Sequence, residues 1–494
     1  MKEKIQVRAS HVNTGTAFPR DREIETGRGG RVLRHGKLHA ELGGETATAR
    51  GGLALAVGVA RRIRLPSVLD KHLNLLRVHR PYTEADHVLT HAYNLFSGGE
   101  CIEDIAALQT CPTARAIMGA DAIPDPTTAG DFLRRFDEDS LQDLDRAIDE
   151  AQSEVWQRRW KNKKQRAAHI DLDSHLHQVY GHKKEGTDFC RKGYLAYHPL
   201  VISLAGTGEC LRLINRPGNV NDAQDADLHL DPVMDLVGAR FEEVVVRGDS
   251  KFFNQKIFDV VEKHRQKFAV VAPAFQNLKD DAAALPEKAW KPFRPRPHHR
   301  PCEESKRRQR RPNHRASRVE AHDKRDLKLE KQWVAEFDYM PKRSKKTYRV
   351  VVRRQKITER MVGGELFDLW RYRFAMTNIR DRSATEILHF TYKRCDQEKT
   401  IEQLQNGIAA MRMPTGGAMA NAAFLTIARL ANNLKPWIAQ LARLGEVIRW
   451  SWKRFRHHFV YVAARVVHTG RRAVLRILGA DLSSRRVLLA LQHL

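Results

Sequence analysis

Two stretches decide how this chain folds: HIDLDSH at residues 169–175 and EVVVRGDS at residues 243–250. In each, aliphatic residues (Ile170 and Leu172; Val244, Val245 and Val246) run into a carboxylate followed by small or polar residues. That is the pattern of a buried strand ending at a site. The carboxylates are Asp173 and Asp249, and strand ends are where α/β folds place their chemistry. Alternation puts Asp171 on the same face as Asp173, so Asp171 is an alternative ligand. A third acid, Glu398, lies in the helical stretch YKRCDQEKTIEQL at 392–404.

Outward from these stretches, YHPLVISLAG and ECLRLINRPGN predict two antiparallel strands joined at Gly206-Thr207-Gly208. A helical segment at 222–238 precedes the strand at 242–248, FDVVEKH reads as helix, and FAVVAPA returns as strand. The order β-β-β-α-β-α-β suits a mixed α/β sheet with an antiparallel part, as in the ribonuclease H fold, better than a doubly wound one. Residues 1–50, rich in Gly, Arg and Thr, read as a basic arm, mobile or β-like, and 51–160 as a helical, DNA-binding N-terminal domain. After the basic hinge KNKKQR, 161–274 form the first part of the core. Residues 275–380 read as a β-rich insertion (QWVAEFDYM, TYRVVVRRQKI, YRFAMTNI) carrying a flexible basic loop between Phe275 and Asp326. A helical region at 381–442 carries Glu398, and 443–494 form a basic, aromatic tail.

At 494 residues the chain is long enough for more than one core. Its 86 Lys and Arg against 59 Asp and Glu leave a net charge of +27, self-repelling unless a polyanion is the partner, and nucleic acid leads. An anionic membrane surface is the weaker alternative, because no apolar run reaches about 18 residues. The N-terminus MKEKIQVRASHVNTG has no apolar core of a signal peptide, so the expected compartment is the cytoplasm. Cys101, Cys111, Cys190, Cys210, Cys302 and Cys395 form no C-x-x-C pair, which argues for reduced thiols over a zinc ribbon or disulfide framework.

Phosphodiester cleavage by two divalent ions about 3.5–4 Å apart needs a cradle of hard oxygen ligands. Asp173, Asp249 and Glu398 supply that donor type, so Mg²⁺ or Mn²⁺, two ions, is the expected cofactor, with histidine unnecessary. Each acid alone would read as a surface carboxylate or a helix cap. Their joint context favours a two-metal nuclease site.

Taken in order, GLALAVGVA, GGECIEDIAAL, TTAGDFLRRF, DLDSHLHQVYG, GYLAYHPLVISLAGTGECL, RPGNVND, VVVRGDSKFF, FAMTNI, YKRCDQEKTIEQL and AMANAAFLTIARLANNL span 52–441. The set resembles the DDE-type insertion-sequence transposases, most like the IS1380 group of the IS4-like class. The resemblance implies a ribonuclease H-like core whose third acid is set off by a β-rich insertion, and only the interval from Asp249 to Glu398 has room for one. It also implies a D-x-T context for the first acid, which makes Asp173 the first choice over Asp171 although His175 stands in place of the threonine, and RGDS for Asp249. The third acid falls in what resembles a Y-R-E-K signature: Tyr392, Arg394 and Glu398 match in kind, Tyr392 is displaced by one position, and Gln405 replaces the lysine. By the resemblance Tyr392, Arg394 and position 405 meet terminal DNA phosphates, and helical spacing sets Arg394, Glu398, Ile401 and Gln405 on neighbouring turns.

The loop residues Arg307, Arg308, Arg310 and Arg311 could neutralise several phosphates, or form a solubilising tract. In IRWSWKRFRHHF, the aromatics beside Arg and Lys suit bases and phosphates, and amphipathic packing explains them equally well. The expected function is a DNA transposase that binds terminal inverted repeats, cleaves DNA and joins it to target DNA, as a homodimer on double-stranded DNA associated with the bacterial nucleoid. The rivals are a catalytically decayed copy acting as a DNA-binding repressor, and a metal-dependent nuclease without transfer activity.

Overall fold

A computed structural model describes residues 46–181, 183–294, 326–342, 344–360, 366–470 and 472–494, with three short strands in the first 45 residues. The leading helices are α1 (Leu53–Arg62), α2 (Leu65–His72), α3 (Glu84–Phe96) and α4 (Glu138–Trp160). Capping boxes start two of them. Thr83 and Asp86 exchange hydrogen bonds at the start of α3, and Asp137 and Ser140 do so at the start of α4.

The chain then builds β1 (Gln165–Ser174), β2 (Leu200–Leu204), β3 (Glu209–Ile214), α5 (Ala226–Gly238), β4 (Phe241–Gly248), α6 (Gln255–Lys263) and β5 (Lys267–Ala272). The predicted β-β-β-α-β-α-β order is present. β1, β2 and β3 run antiparallel in sequence, with Gly206 and Gly208 at positive φ in the β2–β3 turn, while β4 lies parallel to both β1 and β5.

Next come β6 (Lys291–Pro292), β7 (Asp326–Tyr339), β8 (Tyr348–Arg360) and β9 (Leu366–Thr377). These strands do not stand apart from the core. β9 pairs antiparallel with β5, giving one nine-stranded sheet in the order β6-β7-β8-β9-β5-β4-β1-β2-β3. The expected flexible loop after Phe275 begins instead with a helix, Gln276–Ala283, whose Leu278 and Ala282 are buried. Arg307, Arg308, Arg310 and Arg311 lie outside the described residues.

Period-two alternation gives the sheet two different faces. Ile170 and Leu172 of β1, Val244 and Val246 of β4, and Phe268 and Val270 of β5 pack under α5 and α6. Val245, Ala269, Val351 and Ala375 point the other way, against α7 (Ala384–Tyr392). Beyond α7 follow α8 (Asp396–Glu402), α9 (Ala418–Leu441) and α10 (Leu482–His493).

A separate helical core joins α1, α3, α4 and α9. The C-terminal aromatics belong to it: Trp450, Trp452, Phe455 and Phe459 are buried, Phe96 stacks edge-on to Trp452, and Arg456 donates to the carbonyls of Leu95, Phe96 and Gly407. Packing, the second of the two sequence readings, accounts for these rings. A polar seam fastens the bundle to the sheet edge. Arg212 of β3 holds Asp149 of α4 through two nitrogens (2.7 and 2.5 Å), Arg429 of α9 reaches Asp145 and Asp149, and Glu209 accepts from Gln152 (2.7 Å) and Gln440 (2.7 Å). Among the described residues no helix is long and apolar enough to cross a membrane.

Candidate active site

In the parallel register of β4 on β1, Gly248 stands beside Leu172, so the next residues, Asp249 and Asp173, emerge side by side at the strand ends. A side chain at Gly248 would meet Cβ of Phe252 at 2.8 Å, so the tight turn after β4 needs glycine there. That turn is capped by Asp249 itself, which accepts from the Lys251 amide (2.9 Å). Asp173 accepts from the Ser174 amide (2.8 Å) and, through its other oxygen, from Arg394 (3.0 Å). Burial raises the Asp173 carboxyl above the ordinary carboxylate range; Arg394 and the Ser174 amide oppose the rise and the neighbouring Asp249 charge adds to it.

Asp171 and Asp173 both lie on the face away from α5 and α6, but they have different surroundings. Asp171 is 1% exposed and takes a two-nitrogen ion pair from Arg247, its cross-strand neighbour on β4 (2.7 and 2.7 Å). Arg247 continues to the Phe390 carbonyl (3.3 Å), and its guanidinium lies 4.9 Å from the Phe390 ring centre. The pair ties the sheet to α7.

The region expected as one continuous helix is broken into α7, a tight turn at Lys393–Cys395, α8, and a wider π turn at Gln403–Gly407. Arg394, Glu398 and Gln405 therefore sit on three different segments, while Ile401 and Leu404 are buried. Gln397 docks α8 on β2, bonded to the Ser203 hydroxyl and the Val201 carbonyl (3.3 Å), and Val201 pairs with Asp173 across the sheet. Glu398, the next residue, is exposed. Gln405 is half-buried in the π turn. Tyr392 does not stand open to solvent: it is half-buried, with the Arg353 guanidinium of β8 4.9 Å from its ring centre.

The sequence reading gave no role to Asp222, within RPGNVND. Its carboxylate accepts from Lys251 (2.8 Å), lies 3.2 Å from His198 Nε2 and accepts from the Ser174 hydroxyl. Burial works against ionisation of Asp222, yet the hydrogen bonds from His198, Lys251 and Ser174 hold its carboxyl well below the usual range. The only sequence signal was an acid within a turn-rich motif, which has no periodicity to read.

Three acids at this end of the sheet thus have a cation each: Asp171 with Arg247, Asp173 with Arg394, Asp222 with Lys251. Among the described residues Asp249 has no ion-pair partner. The donor set of Asp173, Asp249 and Glu398 fits a hard divalent ion in kind. In geometry, no group of three or more His, Cys, Asp or Glu side chains among the described residues is disposed to hold a metal, and Arg394 takes one oxygen of Asp173.

A family model described as "Transposase DDE domain group 1" matches residues 31–494. No curated protein matches the chain. Among solved structures, one described as a cryo-EM structure of the piggyBac transposase synaptic complex with hairpin DNA aligns over 84% of this chain and 81% of that one, at 9% identity and a TM-score of 0.37.

Proposed function

Because this chain belongs to the DDE transposase domain family, we propose that it is a DNA transposase: it binds the terminal inverted repeats of its element, cleaves there, and joins the freed 3′-hydroxyl to target DNA. The observation that carries the reading is the pair Asp173 and Asp249 at adjacent ends of parallel β1 and β4, Asp249 without an ion-pair partner among the described residues, with α8, which bears Glu398, docked on neighbouring β2. The five strands in the order β3-β2-β1-β4-β5, three antiparallel and two parallel additions, support a ribonuclease H-like core. The ordered motifs from 52 to 441 support placement in the IS1380 group.

In this reading Asp173, Asp249 and Glu398 would hold two Mg²⁺ or Mn²⁺ ions, which would supply activation of the attacking oxygen and neutralisation of charge on the leaving one. The chain's own residues do the rest. The Ser174 and Lys251 amides orient the two aspartates, and Gln397 fixes α8 over the strand ends. Arg394 offers a planar fork that suits a DNA phosphate as well as the carboxylate it now holds. Helices of 51–160, the basic loop with Arg307, Arg308, Arg310 and Arg311, and Gln405 contribute to DNA binding, and the active form is a homodimer on double-stranded DNA.

The test is Asp249→Asn on a labelled element end with Mg²⁺, following binding, nicking and joining separately. Binding should persist and nicking disappear; nicking by this variant would sink the assignment. Wild-type protein that binds without nicking would be a repressor, and one that nicks without joining a plain nuclease.

A further inference from the structure

Lys251 follows Asp249 by two residues, and its ammonium is held by Asp222. Its amide binds Asp249, and its Nζ lies 2.8 Å from Asp222 Oδ1. The same oxygen receives the hydroxyl of Ser174, the residue after Asp173. His198 closes the group, its Nε2 3.0 Å from Ser174 Oγ and its Nδ1 3.1 Å from the Val220 carbonyl. Arg216 fixes the backbone beneath, donating to the carbonyls of His198 (3.0 Å), Asp222 (3.1 Å) and Gln224 (2.8 Å). Asp222 is therefore clamped from several sides, while the Lys251 side chain is 39% exposed and has Asp222 as its only protein partner among the described residues.

An ammonium has three N–H donors. A long lysine tied through one of them to a buried, rigid carboxylate loses the freedom that makes most surface lysines indifferent to position. Its remaining donors are left over: the carboxylate oxygen that holds it also holds Ser174, the residue after Asp173, and the side chain leaves the backbone two residues after Asp249. We propose that Lys251 is a DNA-contacting residue of the active site, gripping one backbone phosphate next to the cut, and that Asp222 is the positioning residue that aims it. This rests on the transposase reading above.

The test pairs a change in the protein with a change in the DNA. Element-end duplexes carrying a neutral methylphosphonate at one phosphate at a time, scanned across the cut, are titrated with wild-type, Lys251→Met and Lys251→Arg protein, with Ca²⁺ replacing Mg²⁺. Wild type should lose affinity at a phosphate where Lys251→Met loses nothing further, and Lys251→Arg should restore the wild-type profile. On unmodified DNA, Lys251→Met should flatten the log–log salt dependence by about 0.9, the share of one phosphate. Asp222→Asn should leave overall affinity near wild type but blur the methylphosphonate profile and slow single-turnover nicking in Mg²⁺. Adding Lys251→Met to it should slow nicking no further. If Asp222→Asn does not fold, the Lys251 variants decide the matter alone, since among the described residues the Lys251 side chain has a single partner to lose. Identical methylphosphonate profiles for wild type and Lys251→Met would overturn the inference while leaving the transposase reading intact. Wild-type protein with no preference for element ends would overturn both.

Discussion

The Asp171–Arg247 pair gives a prediction that separates a structural acid from a metal ligand on the same strand face. Both side chains are almost wholly buried, at 1% and 2% exposure, and share two 2.7 Å hydrogen bonds across neighbouring parallel strands. Removing one member leaves the other as an uncompensated charge, which costs about 3–5 kcal/mol, whereas replacing both with apolar residues of similar volume is often neutral or better. Asp171→Asn leaves Arg247 with a weak carbonyl contact at 3.3 Å and the Phe390 ring, neither of which neutralises it. We expect Asp171→Asn and Arg247→Met each to lose about 3 kcal/mol or more, and Asp171→Leu with Arg247→Met to recover most of that loss. Urea unfolding of the single and double variants reads the coupling, and Mn²⁺ titration of the folded Asp171→Asn protein reads ligation. Unchanged metal affinity with a large stability loss is the expected pair of results. A loss under about 1 kcal/mol together with lost Mn²⁺ binding would refute the reasoning and return Asp171 to the metal site.

Two further outcomes follow from other buried or half-buried groups. Burial drives the Lys435 ammonium of α9 down to about 8, although it donates to the Trp450 carbonyl (2.7 Å). Unfolding restores it to near its ordinary value, so the unfolded chain binds more protons between about 8 and 10.4 and stability rises with pH across that window. The penalty is full below pH 8, and the stability difference between Lys435→Met and wild type should move by about 3 kcal/mol in favour of wild type from pH 8 to 10.4; a flat difference in pH-resolved unfolding would contradict it. Gln405→Lys, in the π turn, should tighten element-end binding and steepen the log–log salt dependence by about 0.9, and an unchanged slope would mean that this turn does not face DNA.

What the sequence made legible is what depends on period and on local runs. HIDLDSH and EVVVRGDS predicted strands with their acids at the ends, and Gln165–Ser174 and Phe241–Gly248 place Asp173 and Asp249 there. What stayed hidden depends on contacts between distant residues. Asp222 acquires meaning only because the loop after β3 returns to Ser174 and Lys251. The break after Tyr392 was not readable from helical spacing either. The π turn is shaped from outside: Gln403 accepts from the Trp452 amide (2.6 Å), and a side chain at Gly407 would meet Trp452 at 2.7 Å. The same packing takes the Trp450–Phe455 aromatics out of contention for DNA bases.

The two faces of the sheet show why the acids can be where they are. On the α5–α6 side Leu230, Val233 and Met234 pack in one apolar layer with Ile170, Leu172, Val244 and Val246. Side chains alternate strictly, so slipping β1 by one residue would drive Asp171 and Asp173 into that layer and turn Ile170 and Leu172 onto the face that holds Arg247 and Arg394. Each buried, unpaired carboxylate would cost several kcal/mol, so the slipped register is strongly excluded. In the native register the acids meet Arg247 and Arg394, one from the adjacent strand and one from the segment preceding α8. The cations that make these carboxylates tolerable are thus supplied by elements far apart in sequence, β4 and the region beyond the β6–β9 strands. The acid cluster can therefore assemble only after the chain from β1 to α8 has come together, which ties completion of the site to completion of the sheet.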